Sequence, residues 1–240
     1  MSQTDDLGDE AGDPVLEAKR LLLAAALPHV AFDGWTSATI DAAAREAGVD
    51  ANLAKIAFPR GGVDLAVFHH QEGDRLLTDR LRAAPLAAMR VRDRVALGVR
   101  ARLEIAEERR EAVRKAASLF ALPVYAADGA RAVWGTADVI WEAIGDPSDD
   151  LNWYTKRAIL SSVISATTLY WLGDESEGRE ASWAFLDRRI DSVMQFEKVK
   201  AAVNKNPLGK LLMTGPNWVA SRIRKPGGPR ETGAPSDLPG

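Results

Sequence analysis

The chain has 240 residues, of which 46% are apolar, so it is long enough to bury a core and too apolar for a disordered protein. It has no cysteine, which excludes disulfides and thiolate chemistry. The formal charge of −3 conceals an acidic start, −5 over residues 1–13, and a basic end, +8 over residues 198–230. A charge concentrated in one segment attracts an oppositely charged surface, so the basic end indicates an anionic partner.

The start of the chain lacks a basic and apolar signal sequence and the arginine-rich character of a mitochondrial transit peptide. There is also no run of 18 apolar residues, so we expect no spanning helix.

In chain order the sequence predicts one helix after another and no alternating strand pattern. The fold class is therefore all-α. Capping residues and breakers place the helices at 15–28, at 36–47 before Gly48, between Asp50 and Pro59, and at 63–84, 92–122 (one or two helices), 127–144, 149–174 and 180–203. The domain prediction is a disordered acidic start at 1–14, a helical body at 15–203, an amphipathic helix at 204–225 and a disordered end at 226–240.

Residues 32–70 have the spacing of a helix-turn-helix: a capped helix, a glycine turn, a short second helix and a long third one. This resembles the start of TetR-type transcriptional regulators, whose remaining helices form a ligand-binding and often dimeric body. The would-be recognition helix offers only Asn52 and Lys55, with Arg60 just beyond it. Because DNA readers need several basic or amide side chains, we interpret the motif as a degenerate packing unit without nucleic-acid binding. A TetR-type regulator remains the alternative.

Signals of catalysis are missing. The three histidines, His29, His69 and His70, do not form a helical metal site, and no nucleophile elbow or phosphate-binding loop occurs. We therefore predict a protein that is not an enzyme, with no catalytic residue, resident cofactor or metal.

The predicted helix at 149–174 is apolar on almost every side. Its apolar residues fall on three stripes of a helical wheel: Trp153, Leu160, Ile164 and Trp171; Leu151, Tyr154, Ala158, Leu169 and Leu172; and Ile159, Val163, Ala166 and Tyr170. Trp153 and Tyr154 lie in its first turn beside Lys156 and Arg157, a mixture typical of a protein-binding patch. Core packing is the equally weighted alternative for these two aromatic residues.

The segment that follows Pro207 is amphipathic. One arc is mainly apolar and the other polar, with tryptophan at the boundary, as in helices that lie in a membrane interface. The predicted membrane-contact residues are Lys210, Leu211, Leu212, Trp218, Val219, Arg222, Ile223, Arg224 and Lys225. The same arc also suits docking on the body or on a second subunit.

Four stretches carry a second resemblance: LPHVAFDGWT from Leu27, LFALPVYAADGARAVW from Leu119, GDPSDDLNWYTKRAIL from Gly145 and WAFLDRRIDSVM from Trp183. Together they resemble the ubiquinone-biosynthesis accessory protein family, the ninth in the coenzyme Q gene set. The resemblance covers about residues 15–200 in order.

This resemblance implies a TetR-like body that binds isoprenoid lipids or phospholipid, a membrane-contacting end, a homodimer, and presentation of lipid to the demethoxyubiquinone hydroxylase. The acidic start without a transit peptide indicates a bacterial member, which we expect on the cytoplasmic face of the inner membrane. Our candidate lipid-binding residues are Leu119, Trp141, Leu160, Ile164 and Leu169, and our candidate partner-binding residues are Trp153, Tyr154 and Arg157.

Overall fold

The computed structural model describes residues 13–148 and 151–205, of which 194–205 are described by backbone alone. These residues form helices and no strand, which confirms the all-α prediction. The helices are α1 (Pro14–Asp33), α2 (Ser37–Ala47), α3 (Ala51–Ala57), α4 (Gly62–Arg82), α5 (Val91–Ala106), α6 (Arg110–Phe120), α7 (Ala126–Ile144), α8 (Leu151–Gly173) and α9 (Glu180–Lys205). Short 3₁₀ turns occupy Leu86–Ala88, Glu107–Arg109 and Glu177–Arg179.

The caps predicted for α2 and α3 are present. The Thr36 hydroxyl accepts a hydrogen bond from the Thr39 amide at 3.2 Å, and Gly48 ends α2 in the left-handed conformation. The Asp50 carboxylate accepts bonds from the Asn52 and Leu53 amides at 2.9 and 3.2 Å. These contacts satisfy amides that the first turn leaves unpaired, so the local sequence sets both helix starts.

The end of α1 differs from the prediction. Pro28 does not stop this helix, which continues to Asp33. The residues beyond the proline include Val30, which is fully buried in the core. Packing of this last turn against the neighbouring helices therefore outweighs the backbone hydrogen bond that Pro28 cannot donate.

Two apolar cores share α4. The first core joins α1, α2, α3, the start of α4 and α6, and it contains Leu65 and Phe68. The second joins the end of α4 with α5, α7, α8 and α9, and it contains Leu77 and Leu81. One long helix thus connects the helix-turn-helix unit to the body.

A buried polar cluster lies on α4 between the two cores. Arg102 donates from Nε to Asp74 at 2.8 Å and from a terminal nitrogen to the His70 carbonyl at 3.0 Å. The Thr136 hydroxyl donates to Asp74 at 2.8 Å and lies 2.8 Å from Nε2 of His70. A side chain on Gly73 would lie only 2.6 Å from the Arg102 guanidinium, so glycine is needed for this close approach. The cluster satisfies its buried polar groups and ties α4 to α5 and α7.

The region 92–122 forms two helices, separated by the turn at Glu107–Arg109. Within the part of the chain that the structure describes, no helix is long and apolar enough to cross a membrane. Residues 1–12 of the predicted acidic start and the whole segment from residue 206 onward lie outside the described residues, and with them all nine predicted membrane-contact residues. Asp13 and Pro14, predicted as the end of the disordered start, instead cap and begin α1, and α9 continues to Lys205, two residues beyond its predicted end.

Candidate functional site

An apolar cavity lies in the body between α5, the end of α7, α8 and α9. Its volume is about 270 Å³. It is lined by Val91, Arg92, Val95, Trp141, Asn152, Thr155, Lys156, Ile159, Leu160, Val163, Ile190 and Val193. Most of these side chains are apolar, a few are polar, and four helices contribute, as is typical of a small-molecule pocket between helices.

Both cations of the cavity wall are already neutralised. Arg92 lies 2.7 Å from Asp191 and 3.2 Å from Asp187, and the bond to Asp191 raises the pKa of its guanidinium. The Lys156 ammonium lies 2.6 Å from Oδ1 of Asp146 and 2.7 Å from the Ser148 hydroxyl. The cavity therefore favours a neutral apolar ligand with a polar group over an anion.

Trp141 and Lys156 contact each other in two ways at the cavity wall. The Trp141 indole Nε1 donates to the Lys156 carbonyl at 3.2 Å, and the Lys156 ammonium lies 5.4 Å from the centroid of the Trp141 ring. Among the described residues, two of the three N–H donors of the ammonium serve Asp146 and Ser148, which leaves one donor for a ligand oxygen.

The five candidate lipid-binding residues do not all meet at this cavity. Trp141 and Leu160 line it. Ile164 is buried in the body core near the cavity, but it is not in the wall. Leu119 packs against the other core, with the helix-turn-helix unit, and Leu169 is 65% exposed. For these last two residues the structure does not support the assignment, because their positions on α6 and α8 point away from the cavity.

Sequence reasoning missed the walls that α5 and α9 supply. Val95, Ile190 and Val193 are ordinary apolar residues with helical spacing. Their spacing predicts a buried face but does not distinguish packing against protein from facing a cavity, so no sequence signal identified them.

An aromatic patch lies at the start of α8, and it consists of Trp134, Trp153 and Tyr154. The Trp153 and Tyr154 rings meet edge to face with centroids 4.8 Å apart, and Trp134 on α7 lies 6.1 Å from Trp153 and 6.4 Å from Tyr154. All three are partly exposed. Each ring therefore packs on its neighbours and still presents surface, and partner binding at this patch stays a prediction.

Arg157 does not belong to the exposed part of this patch, in contrast to the prediction. Its side chain is only 3% exposed and its guanidinium lies beneath Trp153, 3.9 Å from the ring centroid. It is paired with Asp138, donates to the Trp153 carbonyl at 3.3 Å and lies 3.7 Å from Asp146. Arg157 is therefore a support for Trp153 rather than a direct contact for a partner.

Comparison with known proteins gives the family. The COQ9 family model matches residues 126–197, which span α7, α8 and most of α9. A curated rat protein, the mitochondrial ubiquinone biosynthesis protein COQ9 of Rattus norvegicus, is 30% identical over 220 residues, which are 88% of this chain and 70% of the rat protein. The chain belongs to the COQ9 family.

Other COQ9 proteins give the same picture. The Drosophila melanogaster protein is 31% identical over 79% of this chain, and the human protein is 28% identical over 88% of it. The chain spans 59% of the length of the Drosophila protein and 69% of the human one. Membership supports a role in ubiquinone biosynthesis.

The fold of this COQ9-family chain is that of TetR regulators. The crystal structure of a TetR transcriptional regulator from Nitrosomonas europaea matches it with a TM-score of 0.59 at 16% identity, over 73% of this chain and 97% of the regulator. This confirms the predicted TetR-like architecture.

The helix-turn-helix surface keeps little positive charge for DNA. Asn52 and Lys55 are exposed on α3, but Arg60 is bound by Asp64 at 2.7 Å and by Asp128 at 3.2 Å. These carboxylates raise the pKa of Arg60, mainly through the hydrogen bond that its guanidinium donates to Asp64. A phosphate would have to displace them, which agrees with the interpretation of a packing unit.

The surroundings of α8 explain its apolar character. Leu160, Val163, Ile164 and Trp171 are buried in the body core, while Ile159 faces the cavity. On another side, Leu151 and Leu169 are exposed together with Ala158, Ser162 and Ser165. One helix thus serves the core, the cavity and an exposed face of small and apolar residues.

Proposed function

We propose that this COQ9-family protein is a non-catalytic accessory protein of ubiquinone biosynthesis that binds isoprenoid quinone precursors and presents them to the demethoxyubiquinone hydroxylase. The observation that carries the proposal is the apolar cavity between α5, α7, α8 and α9. Its volume of about 270 Å³ is slightly below the usual range of about 300–1,000 Å³ for ligand pockets, so it suits a head group and the first part of a chain.

The chemistry of the cavity supports a quinone or phenol over a fatty acid. Val95, Leu160 and Ile190 offer apolar surface to a ring or chain. The remaining donor of Lys156 suits a carbonyl or hydroxyl oxygen of the head group. An acid would add a negative charge beside Asp146, which already neutralises that lysine.

The aromatic patch is the proposed hydroxylase contact. Trp153 and Tyr154 are partly exposed and lie one helical turn from the cavity residues Lys156 and Ile159. Large rings on a supporting arginine are typical of binding hot spots. Their closeness to the cavity fits a handover of ligand between two proteins.

The proposal includes two further contacts. The segment 204–225 touches the membrane on the cytoplasmic side of a bacterial inner membrane, which its apolar arc and its basic residues support. The exposed face of α8 pairs with its own copy in a homodimer. Three small residues, Ala158, Ser162 and Ser165, lie between Leu151 and Leu169 on this face, and they support close helix pairing across it.

Ligand binding is tested with a substitution that fills the cavity. Ile159 is half-buried and faces the cavity, so Ile159→Trp occupies its space. Ile105→Trp is the matched control, because Ile105 is also half-buried but lines a separate cavity between α1, α4 and α5. Lipid extracted from each purified protein is identified and quantified by mass spectrometry.

We expect isoprenoid lipid with the wild-type protein and the control, and at least a tenfold loss with Ile159→Trp. Equal amounts of lipid in both variants would show that this cavity is not the binding site. A wild-type protein that neither carries an isoprenoid lipid nor takes up an added quinone would contradict the proposed function.

A further inference from the structure

The carboxylate of Asp146 lies between the candidate cavity and the aromatic patch. Gly145 ends α7 in the left-handed conformation, with φ 77° and ψ 42°, and the Asp146 amide then bonds back to the Trp141 carbonyl at 3.1 Å. This helix-ending motif fixes the backbone of Asp146 and turns its side chain inward, where it is only 3% exposed. The carboxylate is placed by the short sequence Gly-Asp-Pro, independently of α8.

Two neighbouring cations of α8 share this carboxylate unequally. Oδ1 accepts hydrogen bonds from Lys156 at 2.6 Å and from the Ser148 hydroxyl at 3.0 Å. Oδ2 is buried without a hydrogen bond among the described residues, and the nearest Arg157 nitrogen is 3.7 Å away. Burial opposes ionisation of Asp146, but the bonds from Lys156 and Ser148 outweigh it and hold its pKa below the ordinary value. The charged group therefore has one satisfied and one unsatisfied oxygen.

Such a carboxylate can change its partner at little cost. A buried acceptor without a hydrogen bond is unfavourable, so Oδ2 gains by approaching Arg157. The bond from Lys156 to Oδ1 holds the carboxylate back. A ligand that draws the Lys156 ammonium away from Asp146 weakens that restraint.

Lys156 and Arg157 contact different sites, the cavity and the aromatic patch. Lys156 lines the cavity and lies over Trp141. Arg157, the next residue, lies beneath Trp153 and donates to its carbonyl. Because successive residues of a helix point about 100° apart, one carboxylate between them connects the cavity to the patch.

We propose that Asp146 couples the occupancy of the cavity to the position of Trp153. A ligand oxygen that accepts a hydrogen bond from the third donor of Lys156 draws the ammonium into the cavity and away from Asp146, so that Asp146 turns to Arg157 and the guanidinium moves off the Trp153 ring. Trp153 then leaves its packed position and becomes available to a partner. The inference rests on the proposed function, since it takes a neutral ligand with an acceptor oxygen in the cavity and a partner at the patch.

Thermodynamic linkage determines whether ligand binding strengthens or weakens partner binding. If a ligand favours the state in which Trp153 is released, a partner that binds released Trp153 must in turn favour the ligand-bound state. The loaded protein therefore binds the partner more tightly than the empty one.

Trp141 and Trp153 allow the cavity and the aromatic patch to be observed in one sample. The full chain is labelled with 5-fluorotryptophan, and the resonances of Trp141 and Trp153 are assigned with Trp141→Phe and Trp153→Phe. A ubiquinone analogue with two isoprene units is then titrated while fluorine NMR spectra are recorded. Trp141 reports on the cavity and Trp153 on the patch.

In the wild-type protein we expect both resonances to shift with the same saturation curve. In Asp146→Asn we expect the Trp141 shift to remain and the Trp153 shift to disappear. Ser148→Ala is the matched control: it removes the hydroxyl that bonds to both Asp146 and Lys156 but keeps the carboxylate and its bond from Lys156, so both shifts should remain.

A second variant tests the proposed coupling by Asp146 in the absence of ligand. Lys156→Met removes the competitor for Asp146, so its Trp153 resonance should lie at the loaded position before any quinone is added. A Trp141 shift in the wild type with an unmoved Trp153, or an unchanged Trp153 response in Asp146→Asn, overturns the coupling and leaves the cavity assignment intact. Absence of any saturable Trp141 shift overturns the quinone site, and the coupling with it.

Discussion

The guanidinium of Arg157 lies 3.9 Å from the centre of the Trp153 ring, and it is buried while the ring is partly exposed. A cation over the face of tryptophan is attracted by the negative face of the ring, and the attraction increases where water is excluded. The buried arginine thus orients the exposed ring. Surface and support come from the same helix, four residues apart.

Loss of this support should destabilise the fold. Arg157→Met leaves the partly exposed Asp138 without its cation and removes a nearby positive charge from Asp146, which keeps Lys156, so the lost hydrogen bond between charged groups should cost about 2–3 kcal/mol. The free energy of unfolding is measured by urea denaturation. Arg131→Met is the control, because Arg131 is 74% exposed and its bond to Asp128 should contribute no more than about 1 kcal/mol. Similar losses in the two variants would show that burial of Arg157 has no energetic consequence.

Partner binding should depend on Trp153. Trp153→Ala is expected to weaken binding of the hydroxylase by about 2 kcal/mol or more, because it removes a large ring from the proposed hot spot. Calorimetry with the two purified proteins measures this. Trp183→Ala is the control, since Trp183 is also half-buried and lies over Arg100 but is on α9, outside the patch. Equal effects from both tryptophans would contradict a localised partner surface.

The exposed face of α8 should control self-association. Leu169→Glu places a charge on this face, and its copy in a symmetric dimer faces the same surface, so the dimer should dissociate into monomers. Light scattering after gel filtration gives the mass. Ile56→Glu is closely matched, because Ile56 on α3 is also 65% exposed, and it should leave the mass unchanged. A Leu169→Glu protein with the wild-type mass would exclude this face as the interface.

Acid should destabilise the protein through His70. Burial lowers the pKa of this ring to about 4, with Arg102 adding to the effect and Asp74 opposing it. The unfolded chain keeps a pKa of about 6.5, so it binds the proton more readily and the free energy of unfolding falls as the pH decreases from about 6.5 towards 4. At pH 5 this group accounts for a loss of about 2 kcal/mol relative to pH 7.

His70→Gln tests the contribution of His70 to the loss of stability in acid, because glutamine does not titrate and can still bond to Thr136. The difference in unfolding free energy between pH 7 and pH 5 should become smaller by about 1–2 kcal/mol. His29→Gln, in the exposed pair with Glu46, is the control for the substitution itself. A wild-type pH dependence in His70→Gln would rule out this histidine as the cause.

Membrane binding should depend on the end of the chain. A chain that ends at Val203 is expected to stay folded but to lose binding to anionic liposomes, since eight basic residues from Lys198 to Arg230 include six beyond this point. In the full chain, Leu211→Asp with Trp218→Asp should weaken binding at low and at high salt, because apolar burial is not screened. Thr214→Asp, on the polar arc, should have the smaller effect. Full liposome binding by the shortened chain would place the contact in the body.

Local sequence determined most of the secondary structure in the described part of the chain. Thr36, Asp50 and Gly145 act within a few residues of themselves, by capping amides or by adopting a left-handed turn, so their effects are readable without the fold. The sequence likewise showed that α3 has few basic residues. Pro28 was misread because the packing of Val30 is not local.

Tertiary structure decided what each apolar stripe faces. The sequence showed that α8 is apolar on three sides, but only the packing of α5, α7 and α9 separated core, cavity and exposed surface. It also put Arg157 inside and Leu169 outside, the reverse of what polarity suggests. The physical reason is that helical periodicity specifies the angle between side chains, whereas burial and pairing depend on which neighbours arrive from distant parts of the chain, as Asp138 and Asp146 do for Arg157.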